Sequence, residues 1–351
     1  MAIQTITVNT QTPYEVLVGD NLIANVGKHV AKIVAPSKAL IVTDDNVSKL
    51  YLDTVKNSLV ESGFSVDCFT FPAGESSKTV DTYLQIVGKL AELSFTRTDV
   101  IIALGGGVVG DVSGFSASTY LRGIKCVQIP TTLLAQIDSS VGGKTAVNLP
   151  QGKNLLGAFY QPSLVICDVD VLTDLPKSVL LAGYGEMLKY ALLDKKVYDE
   201  LLNHGSLISL VKLCIEYKRD IVERDEKESN ERRLLNLGHT AGHGIEKASN
   251  YTLTHGIAVT HGLKIMAGYS IKKGYIDKAL YNDIMALIDD TVTLQKLPYS
   301  AKTIAEYAKS DKKRAGDVVN IVTIHGVGDC RIEKVLVEEL EEVFTPPVYE
   351  D

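Results

Sequence analysis

Short apolar runs and amphipathic stretches alternate along the first half of the chain. YEVLVG, KALIVTDDNV and SVDCFTFP predict extended segments, while LIANVGKHVAKIV, VSKLYLDTVKNSLVESG and TVDTYLQIVGKLAELS have helical spacing, with Gly63 as the stop of the second helix. The runs DVIIALGGG, IKCVQIP and SLVICDVD are apolar and typical of strands buried in a parallel sheet. This alternation predicts an α/β, doubly wound, Rossmann-like domain over residues 1–170.

The pattern changes after about residue 170, where long amphipathic stretches replace the alternation. SVLLAGYGEMLKYALL, LISLVKLCIEYKRDIVERDE, LLNLGHTAGHGIEKASN and AVTHGLKIMAGYSIKKG each predict a helix, and only VVNIVTIHGVG predicts an extended segment. We therefore expect a second, mostly α-helical domain over residues 171–351, joined to the first by a tight connection near DVDVLTDLPK.

Composition narrows the class of protein. The net charge of −7 argues against a broad nucleic-acid surface. Five widely spaced cysteines without a Cys-x-x-Cys pair are typical of reduced thiols, and MAIQTITVNT has neither the basic start nor the apolar run of a secretion signal. No apolar run approaches the roughly 20 residues of a membrane helix. We expect a cytoplasmic protein that binds neither membrane nor nucleic acid.

A glycine turn follows one of the predicted strands. Gly105, Gly107 and Gly110 in DVIIALGGGVVGD have the G-x-G-x-x-G spacing, which lets backbone N–H groups approach a pyrophosphate at a helix N-terminus. The alternative is a plain strand-to-helix turn that uses small residues for packing. The acidic residue expected about 20 positions downstream is missing, and Asp44 or Asn46 of an upstream strand end is the candidate for holding a ribose.

The segment PTTLLAQIDSSVGGKTAVNLPQGKN is long, polar and rich in Gly, Ser, Thr and Lys. It predicts a functional loop whose Asp138, Lys144 and Lys153 suit hydroxyl and anion binding. A solvated surface loop is the alternative, because surface lysines are common.

Three of the seven histidines lie close together in the second half. His239 and His243 are four residues apart and share one face of a predicted helix, and His255 follows twelve residues later. Such a pair with a third ligand is typical of a catalytic zinc site, although a single histidine on a helix is more often structural. The spacing does not separate His255 from His261. The candidate carboxylate ligands are Glu186, Glu228 and Glu246.

Basic residues gather in the same half. Lys218 precedes the stretch RDEKESNERR, Arg232 lies near its end, and DKKR contributes Lys312, Lys313 and Arg314. In an acidic chain they favour a cationic pocket for phosphate and carboxylate groups. The alternative is a set of solvated helix faces.

Taken together, these segments resemble the 3-dehydroquinate synthase family, the sugar-phosphate cyclases of the shikimate pathway. The resemblance covers nearly the whole chain and rests on eight stretches in order: PAGESSK, GGGVVGD, GFSASTYLRG, QIPTTLLAQIDSSVGGKTAVN, GKNLLGAF, GEMLKY, LLNLGHTAGHGIE and DKKR. Eight ordered matches are far more specific than the glycine turn alone.

The resemblance implies an NAD-binding α/β domain, a helical domain and an active site in the cleft between them. It assigns zinc, with cobalt as an alternative, to Glu186, His239 and His255, and turns His243 toward the substrate. The residues it places against NAD are Asp44, Asn46, Glu75, Lys78, Gly106, Gly107, Val108, Asp111, Thr131, Thr132, Lys144 and Lys153.

The family resemblance also implies a substrate site. The residues with implied catalytic roles are Asp138, Lys144, Lys189, Lys218, Arg232, Asn236 and His243. The further substrate contacts are Arg122, Asn154, Glu228, Lys312 and Lys313. Arg122 would reach the site from the partner of a homodimer.

The implied reaction converts 3-deoxy-D-arabino-heptulosonate 7-phosphate to 3-dehydroquinate and inorganic phosphate. It proceeds by transient oxidation with NAD, β-elimination of phosphate, re-reduction, ring opening and an intramolecular aldol closure. The rivals are a sedoheptulose 7-phosphate cyclase, a polyol dehydrogenase of the same plan and a non-catalytic nucleotide-binding module. Lys218, Arg232 and Asn236 favour the keto-acid substrate over sedoheptulose 7-phosphate, and the dense set of cationic residues argues against a neutral polyol.

Three positions depart from the family pattern. Ile257 stands where the family often has Glu, so an acidic partner for His255 has to come from elsewhere. Asn230 replaces a common Gly and is expected to keep a left-handed turn, which Asn tolerates. Asp174 replaces a common Thr and carries no assignment.

Overall fold

The chain divides into two compact units. The computed structural model describes residues 3–312 and 317–346, without the side chains of 310–312. The first unit comprises Met1–Pro176 and Lys218–Lys227, and the second comprises Lys177–Tyr217 and Glu228–Asp351. The segment Lys218–Lys227 thus groups with the first unit although it lies in the second half of the sequence. Hydrogen bonds from Asn9 to Glu223 and from Gln161 to Glu226 hold it there.

The first unit is built from nine strands and four helices within its described part. The strands are β1 Gln4–Val8, β2 Tyr14–Gly19, β3 Lys38–Asp44, β4 Ser65–Phe71, β5 Val100–Gly105, β6 Lys125–Pro130, β7 Lys144–Leu149, β8 Gly152–Phe159 and β9 Leu164–Asp168. The helices are α1 Val26–Val30, α2 Ser48–Glu61, α3 Val80–Glu92 and α4 Gly107–Thr119. Short 3-10 segments span Ile23–Asn25, Glu75–Ser77, Tyr120–Arg122 and Asp170–Asp174.

Seven of these strands form one sheet in the order β1-β2-β9-β6-β5-β3-β4. Only the β1–β2 pair is antiparallel, and the other pairs are parallel. The chain moves outward from β3 to β4 and then returns to β5 on the other side of β3. This reversal between β3 and β5 is a topological switch point, where parallel α/β sheets bind ligands beyond the strand carboxyl ends. The predicted α/β domain is confirmed.

One core cluster of this unit lies between the sheet and the helices α3 and α4. Leu40 and Val42 of β3 and Ile101 of β5 belong to this cluster. Ile86 of α3 and Val112 of α4 pack in the same cluster. All five side chains are fully buried, and burying each contributes roughly 1.5–3 kcal/mol. This packing fixes the strand ends that carry the glycine turn.

The second unit is mostly helical within its described part, as predicted. Its helices are α5 Lys177–Leu193, α6 Lys195–Leu202, α7 Leu207–Arg224, α8 His239–Ala248, α9 His255–Lys272, α10 Lys278–Thr291, α11 Ala301–Lys312 and α12 Leu340–Phe344, with the end of α7 belonging to the first unit. A hairpin of β10 Val318–Gly326 and β11 Asp329–Leu336 packs on α9. 3-10 segments span Glu231–Asn236 and Val337–Glu339.

Two glycines let α5 and α9 cross at backbone contact. A Cβ on Gly185 would lie 2.2 Å from the carbonyl oxygen of Gly256, and a Cβ on Gly256 would lie 1.8 Å from that of Ala182. Real Cβ atoms do not approach so closely, so only glycine permits this crossing. The residues next to the glycines, Glu186 and His255, are thereby brought together.

The long polar segment predicted as a loop is ordered, so that prediction is wrong. Residues Ala135–Ser139 form a π-helical turn, and β7 and β8 form an antiparallel hairpin in which Lys144 pairs with Phe159. Thr145 and Val147 of β7 are buried, while Lys144 is exposed. The strand β7 was missed because it is buried on only one face and therefore contains many polar residues.

The predicted helix over LLNLGHTAGHGIEKASN also starts later than expected. Gly238 adopts φ +77°, which ends the preceding 3-10 segment and places His239 at the first position of α8. A Cβ on Gly238 would lie 2.9 Å from the side chain of Leu263, so this turn packs closely on α9. The left-handed turn therefore sets the direction of the histidine helix.

Each of the five cysteines is a free thiol. Among the described residues, no helix has both the length and the apolar character needed to cross a lipid bilayer.

Candidate functional site

Three predicted metal ligands converge in the second unit. Glu186 lies in the middle of α5, while His239 and His255 are the first residues of α8 and α9. Oε1 of Glu186 lies 3.5 Å from Nε2 of His239 and 3.2 Å from Nε2 of His255. One ligand atom from each residue lies within 4.8 Å of the others, so the three side chains form a group able to hold a metal ion.

Glu186 is held at this place as a buried carboxylate. Its side chain is 1% exposed, and its second oxygen, Oε2, lies 2.7 Å from Nζ of Lys189 one helical turn later. Burial raises the pKa of Glu186, but the charge of Lys189, the neighbouring imidazoles and the hydrogen bond with His255 outweigh burial and hold the pKa well below its usual value. Glu186 is therefore ionised, with one oxygen paired to Lys189 and the other directed at both imidazoles.

His239 presents one defined nitrogen to the carboxylate. Its Nδ1 lies 3.1 Å from the carbonyl oxygen of Leu237. Because a carbonyl only accepts hydrogen bonds, Nδ1 carries the proton and Nε2 keeps its lone pair. Burial lowers the pKa of His239 to about 3, and nearby Lys189 acts in the same direction. A neutral imidazole with a free Nε2 is the form that binds metal ions.

His255 lies between two carboxylates. Its Nδ1 is 3.0 Å from Oε2 of Glu246, while its Nε2 faces Glu186. Burial lowers the pKa of His255, but the hydrogen bonds to Glu186 and Glu246 outweigh burial and raise the pKa to about 10. The acidic partner that Ile257 does not supply therefore comes from Glu246 on the neighbouring helix.

A second group of possible ligands shares His255. Ligand atoms of His243, Glu246 and His255 also lie within 4.8 Å of one another. The His243 ring lies 5.6 Å from that of His239 and 5.9 Å from that of His255, measured between centroids. His261, which the spacing left open, belongs to neither group within the part of the chain that the structure describes.

A cavity of about 440 Å³ opens beside the histidines within the second unit. Its lining residues are Glu228, Arg233, Asn236, His239, Thr240, His243, Val318, Val319, Asn320, Val322 and Ile332. Four of these were predicted from the sequence. Arg233, Thr240 and Asn320 were not, and Asn320 is revealed only because β10 packs beside the 3-10 segment Glu231–Asn236. The mixed lining suits a polar molecule of small size.

Around this cavity, the structure orders the turn that precedes the histidines. Nδ2 of Asn236 donates a hydrogen bond to Oε1 of Glu228 at 3.1 Å. Glu228 itself has the left-handed φ of +57°, whereas Asn230 has φ −139°. The expected left-handed conformation at Asn230 is wrong, because the chain reverses two residues earlier. Nearby Arg232 is 1% exposed, which is unusual for an arginine.

The predicted substrate contacts Lys312 and Lys313 lie at the edge of the described part of the chain. Lys313 lies outside the described residues, and Lys312 is the last residue of α11, with its side chain outside the description.

In the first unit, the glycine turn joins a strand to a helix as predicted. β5 ends at Gly105 and α4 begins at Gly107, with Gly106 between them in extended conformation. Gly105 and Gly110 also have packing roles, since a Cβ on them would lie 2.5 Å from Val109 and 2.6 Å from Gln128. Gly106, Gly107 and Val108, at the start of this 13-residue helix, are partly exposed, and a helix start of this kind suits a phosphate group.

A buried cation lies beside the same helix. Lys78 is 5% exposed, and its ammonium donates hydrogen bonds to Asp111 of α4 and to Asn154 of β8. Burial raises the pKa of Asp111, and the charge of Lys78 opposes that effect. These three predicted residues form one polar group.

The neighbouring strand ends carry other predicted contacts. Oδ1 of Asp44 accepts hydrogen bonds at 2.9 Å from the backbone N–H groups of Asn46 and Val47, so this carboxylate orders the turn after β3. Nδ2 of Asn148 donates to Glu75 at 2.7 Å. Asp44 thus lies at the carboxyl end of β3, next to the switch point.

The remaining predicted residues of the first unit are spread over several elements. Lys218, which is 4% exposed, forms an ion pair with Asp138. Thr131 and Thr132 follow β6, next to Gly105 and Gly106. Exposed side chains in this set are those of Arg122, Lys144, Lys153 and Asn154, while Val108 is partly buried.

Asp174 has a contact of its own. Tyr51 of α2 donates a 2.6 Å hydrogen bond to Oδ2 of Asp174, and burial together with this bond raises the pKa of Tyr51. This departure from the family pattern therefore ties α2 to the 3-10 segment after β9.

Comparison with known proteins adds a sequence relationship to this geometry. Residues 68–182 match the family described as 3-dehydroquinate synthase N-terminal, and residues 183–314 match 3-dehydroquinate synthase C-terminal. The 3-dehydroquinate synthase of Clostridium kluyveri is 38% identical over 345 residues, covering 95% of this chain and 96% of that protein. That of Pelobacter propionicus is 40% identical over 349 residues, covering 95% and 97%.

A solved structure shares the fold over nearly the whole chain. It is ValA, a 2-epi-5-epi-valiolone synthase from Streptomyces hygroscopicus with NAD⁺ and Zn²⁺ bound. It superimposes with a TM-score of 0.84 at 26% identity and covers 96% of this chain and 97% of that chain.

Proposed function

The chain belongs to the 3-dehydroquinate synthase family, and we propose that it carries out the family's reaction with NAD and a divalent metal ion. That reaction turns 3-deoxy-D-arabino-heptulosonate 7-phosphate into 3-dehydroquinate and inorganic phosphate, which makes the enzyme a lyase. The observation that carries the cofactor proposal is the convergence of Glu186, His239 and His255 at one point.

The donor set fits a zinc-like ion. Ligands of tetrahedral zinc lie roughly 2.0–2.1 Å from the metal, which separates neighbouring ligand atoms by roughly 3.3 Å. The carboxylate oxygen of Glu186 is 3.5 Å from His239 and 3.2 Å from His255, close to that spacing. Two imidazoles and one carboxylate leave a fourth position for substrate or water. We propose zinc as the ion, with cobalt as the alternative.

A bound divalent ion supplies Lewis acidity toward substrate oxygens. The protein's own contribution is orientation and charge. Lys189 holds the second oxygen of Glu186 and so fixes the carboxylate plane. His243 and Asn236 line the adjacent cavity, where we propose that they position ring hydroxyls and exchange protons with them.

Bound NAD supplies reversible hydride acceptance. The start of α4, with Gly106, Gly107 and Val108, is proposed to face the pyrophosphate, and Asp44 the ribose. These elements flank the switch point between β3 and β5, where the fold opens a ligand crevice. Lys78 and Asp111 would orient the remaining polar groups of the cofactor.

Anion recognition is assigned to buried and exposed cations. Lys189 and Arg232 are each 1% exposed, and Lys218 is 4% exposed. Lys189 and Lys218 pair with Glu186 and Asp138, and we propose that these lysines and Arg232 also contact the carboxylate and phosphate groups of the substrate. We propose that Lys144 and Asn154 contact the phosphate end of the substrate.

We also propose a homodimer. Four large apolar side chains are exposed on the surface of the first unit, namely those of Leu121 and of Leu155, Leu156 and Phe159 in β8. Tyr160, directly after β8, donates a hydrogen bond to the carbonyl of Ile124, which keeps the Leu121 turn beside the hairpin. Leu121 and Arg122 have φ of 49° and 67°, a strained backbone that often marks a functional segment. A second copy of the chain would cover this surface and receive Arg122.

The rival functions make different products. The family relatives at 38–40% identity are 3-dehydroquinate synthases, whereas the valiolone synthase is 26% identical, which favours the keto-acid substrate over sedoheptulose 7-phosphate. A polyol dehydrogenase would accumulate NADH, while the proposed reaction uses NAD without net reduction. The free thiols fit the proposed cytoplasmic location.

A phosphate-release assay separates these functions. Purified enzyme, stripped of metal and NAD, is mixed with the heptulosonate phosphate, and each cofactor is added singly and together. We expect stoichiometric phosphate and 3-dehydroquinate only with both cofactors, and no NADH accumulation. Turnover of sedoheptulose 7-phosphate alone, or stoichiometric NADH, would contradict the proposal.

A further inference from the structure

We propose that Glu246 is a positioning residue for the metal site: its carboxylate accepts the Nδ1 proton of His255 and so directs the unprotonated Nε2 toward the ion. The proposal rests on the proposed function, in which Glu186, His239 and His255 hold the metal. It adds a residue whose role is to orient a ligand.

The imidazole of His255 has distinct partners on its two sides. Nδ1 lies 3.0 Å from Oε2 of Glu246, and Nε2 lies 3.2 Å from Oε1 of Glu186. A histidine that binds a metal ion is neutral and carries a single N–H, and an ionised carboxylate only accepts hydrogen bonds. When Nδ1 donates to Glu246, the lone pair of Nε2 points to the side where Glu186 and His239 converge. This arrangement is the carboxylate–histidine–metal order found around bound metals.

The helical spacing explains why Glu246 reaches His255. On α8, His239, His243 and Glu246 occupy positions i, i+4 and i+7, which lie on one face. That face packs on α9, whose first residue is His255. A Cβ on Gly242 would lie 3.2 Å from Cα of Val259, so the two helices are in close contact between these side chains.

The two ligand histidines are oriented by different groups. His239, with a side chain 13% exposed, uses the backbone carbonyl of Leu237. The side chain of His255 is 35% exposed and stands at the first position of α9, where its Nδ1 faces the carboxylate of Glu246. A buried carboxylate is costly unless it is paired, and Glu246 is 7% exposed. Pairing with His255 satisfies Glu246 and fixes the more exposed ring.

A competing arrangement makes Glu246 a direct ligand together with His243 and His255. The two arrangements exclude each other, because each needs a different nitrogen of His255 for the metal. The first is favoured because Glu186 is the more buried carboxylate and its second oxygen is neutralised by Lys189. The second is an outcome that the test detects.

The test compares metal binding in Glu246→Gln and Glu246→Ala with the wild type. Metal-free full-length proteins are titrated with Co²⁺ and Zn²⁺ in competition with a chelator, and the visible absorption of the Co²⁺ forms is recorded. We expect Glu246→Ala to weaken binding roughly 10–100-fold, as loss of an orienting partner does. Glu246→Gln should lose less, because its amide oxygen still accepts the Nδ1 proton.

Glu333→Gln is the matched control. Glu333 also pairs with a histidine, with Oε1 3.5 Å from Nε2 of His325, and this pair is separate from the proposed metal ligands. Its substitution should leave Co²⁺ affinity and spectrum unchanged. Melting temperatures of the metal-free variants separate a loss of fold from a loss of orientation.

Two results would overturn the inference. One is wild-type affinity and spectrum in Glu246→Ala. The other is complete loss of binding in Glu246→Gln while Glu186→Ala still binds, which would make Glu246 the ligand. Unimpaired binding in Glu186→Ala refutes the proposed metal group itself, whereas unimpaired binding in Glu246→Ala alone refutes only the positioning role.

Discussion

Gly185 and Gly256 lie in backbone contact where α5 crosses α9, so that a Cβ on Gly185 would be 2.2 Å from the carbonyl oxygen of Gly256. Each glycine is the chain neighbour of a proposed metal ligand, Glu186 or His255. The approach of the two backbones sets the distance between the carboxylate and the imidazole. The geometry of the site thus depends on two residues that have no side chain.

The first prediction concerns this crossing. Gly256→Ala would place a methyl group 1.8 Å from the carbonyl oxygen of Ala182, so the helices must separate. We expect a loss of about 1–3 kcal/mol in the free energy of unfolding and weaker Co²⁺ binding. Urea unfolding and metal titration measure the two effects.

Gly88→Ala is the control for that substitution. Gly88 lies in α3, and a Cβ there would meet nothing within 4 Å. Alanine should stabilise this helix by up to about 1 kcal/mol without changing metal binding. A Gly256→Ala protein as stable as wild type would show that the crossing is more tolerant than its geometry indicates.

The second prediction concerns His239. His239→Ala removes one of the three ligands, and we expect turnover to be abolished and bound zinc to fall, with the fold retained. Zinc content by elemental analysis and far-UV circular dichroism check this result. His204→Asn changes an exposed histidine with φ +50°, which Asn tolerates, and should keep both metal and activity. Full activity of His239→Ala without metal would reject the metal role.

The third prediction concerns the NAD proposal. Lys78→Met removes the cation that contacts Asp111 and Asn154, and a charged hydrogen-bonding group of this kind contributes roughly 1.5–3 kcal/mol. We expect the Kd for NAD, measured by calorimetry, to rise roughly ten- to hundredfold while Co²⁺ binding stays unchanged. Lys89→Met, at a surface position of α3 where Lys89 pairs with Glu92, should leave NAD affinity intact. Wild-type NAD affinity in the Lys78 variant would count against a role in cofactor binding.

The fourth prediction concerns acid stability. Burial lowers the pKa of His261 to about 4, and Lys264 adds to the effect, while an unfolded histidine has a pKa of about 6.5. The unfolded chain therefore binds a proton first, so the stabilising contribution is complete above pH 6.5 and is lost as the pH falls toward 4. His261→Gln should show a flatter loss of unfolding free energy across this interval than wild type. An unchanged slope, with His204→Asn as reference, would contradict the assignment.

The sheet could be predicted from the sequence because its strands carry strong local signals. The apolar runs of β3, β5, β6 and β9 are buried on both faces and stand out as continuous stretches. The glycine turn was located for a similar reason, since strand, glycines and helix follow one another directly. Local chemistry determines these elements.

The hairpins were harder to predict because their strands contain many polar residues and lack a continuous apolar run. β7 and β8 lie within a segment of lysines, serines and glycines, and much of β8 is exposed. β11, with the sequence DCRIEKVL, carries four charged residues and gains its strand conformation from pairing with β10. Cross-strand pairing, which the linear pattern does not display, decides both cases.

The sequence alone predicted only part of the candidate site. Spacing on one helix indicated His239 and His243 but left three carboxylates and two further histidines open. The structure groups His255 with Glu186 because α5 and α9 cross at their glycines. It places Glu246 against Nδ1, the other nitrogen of the same imidazole. These choices depend on helix packing between distant parts of the chain.

Anomalous diffraction at the zinc or cobalt absorption edge from crystals grown with that ion tests the central claim most directly. The account predicts one strong peak roughly 2.0–2.1 Å from Oε1 of Glu186 and from Nε2 of both His239 and His255. A peak bound instead by His243 and Glu246, or no peak near Glu186, would contradict it.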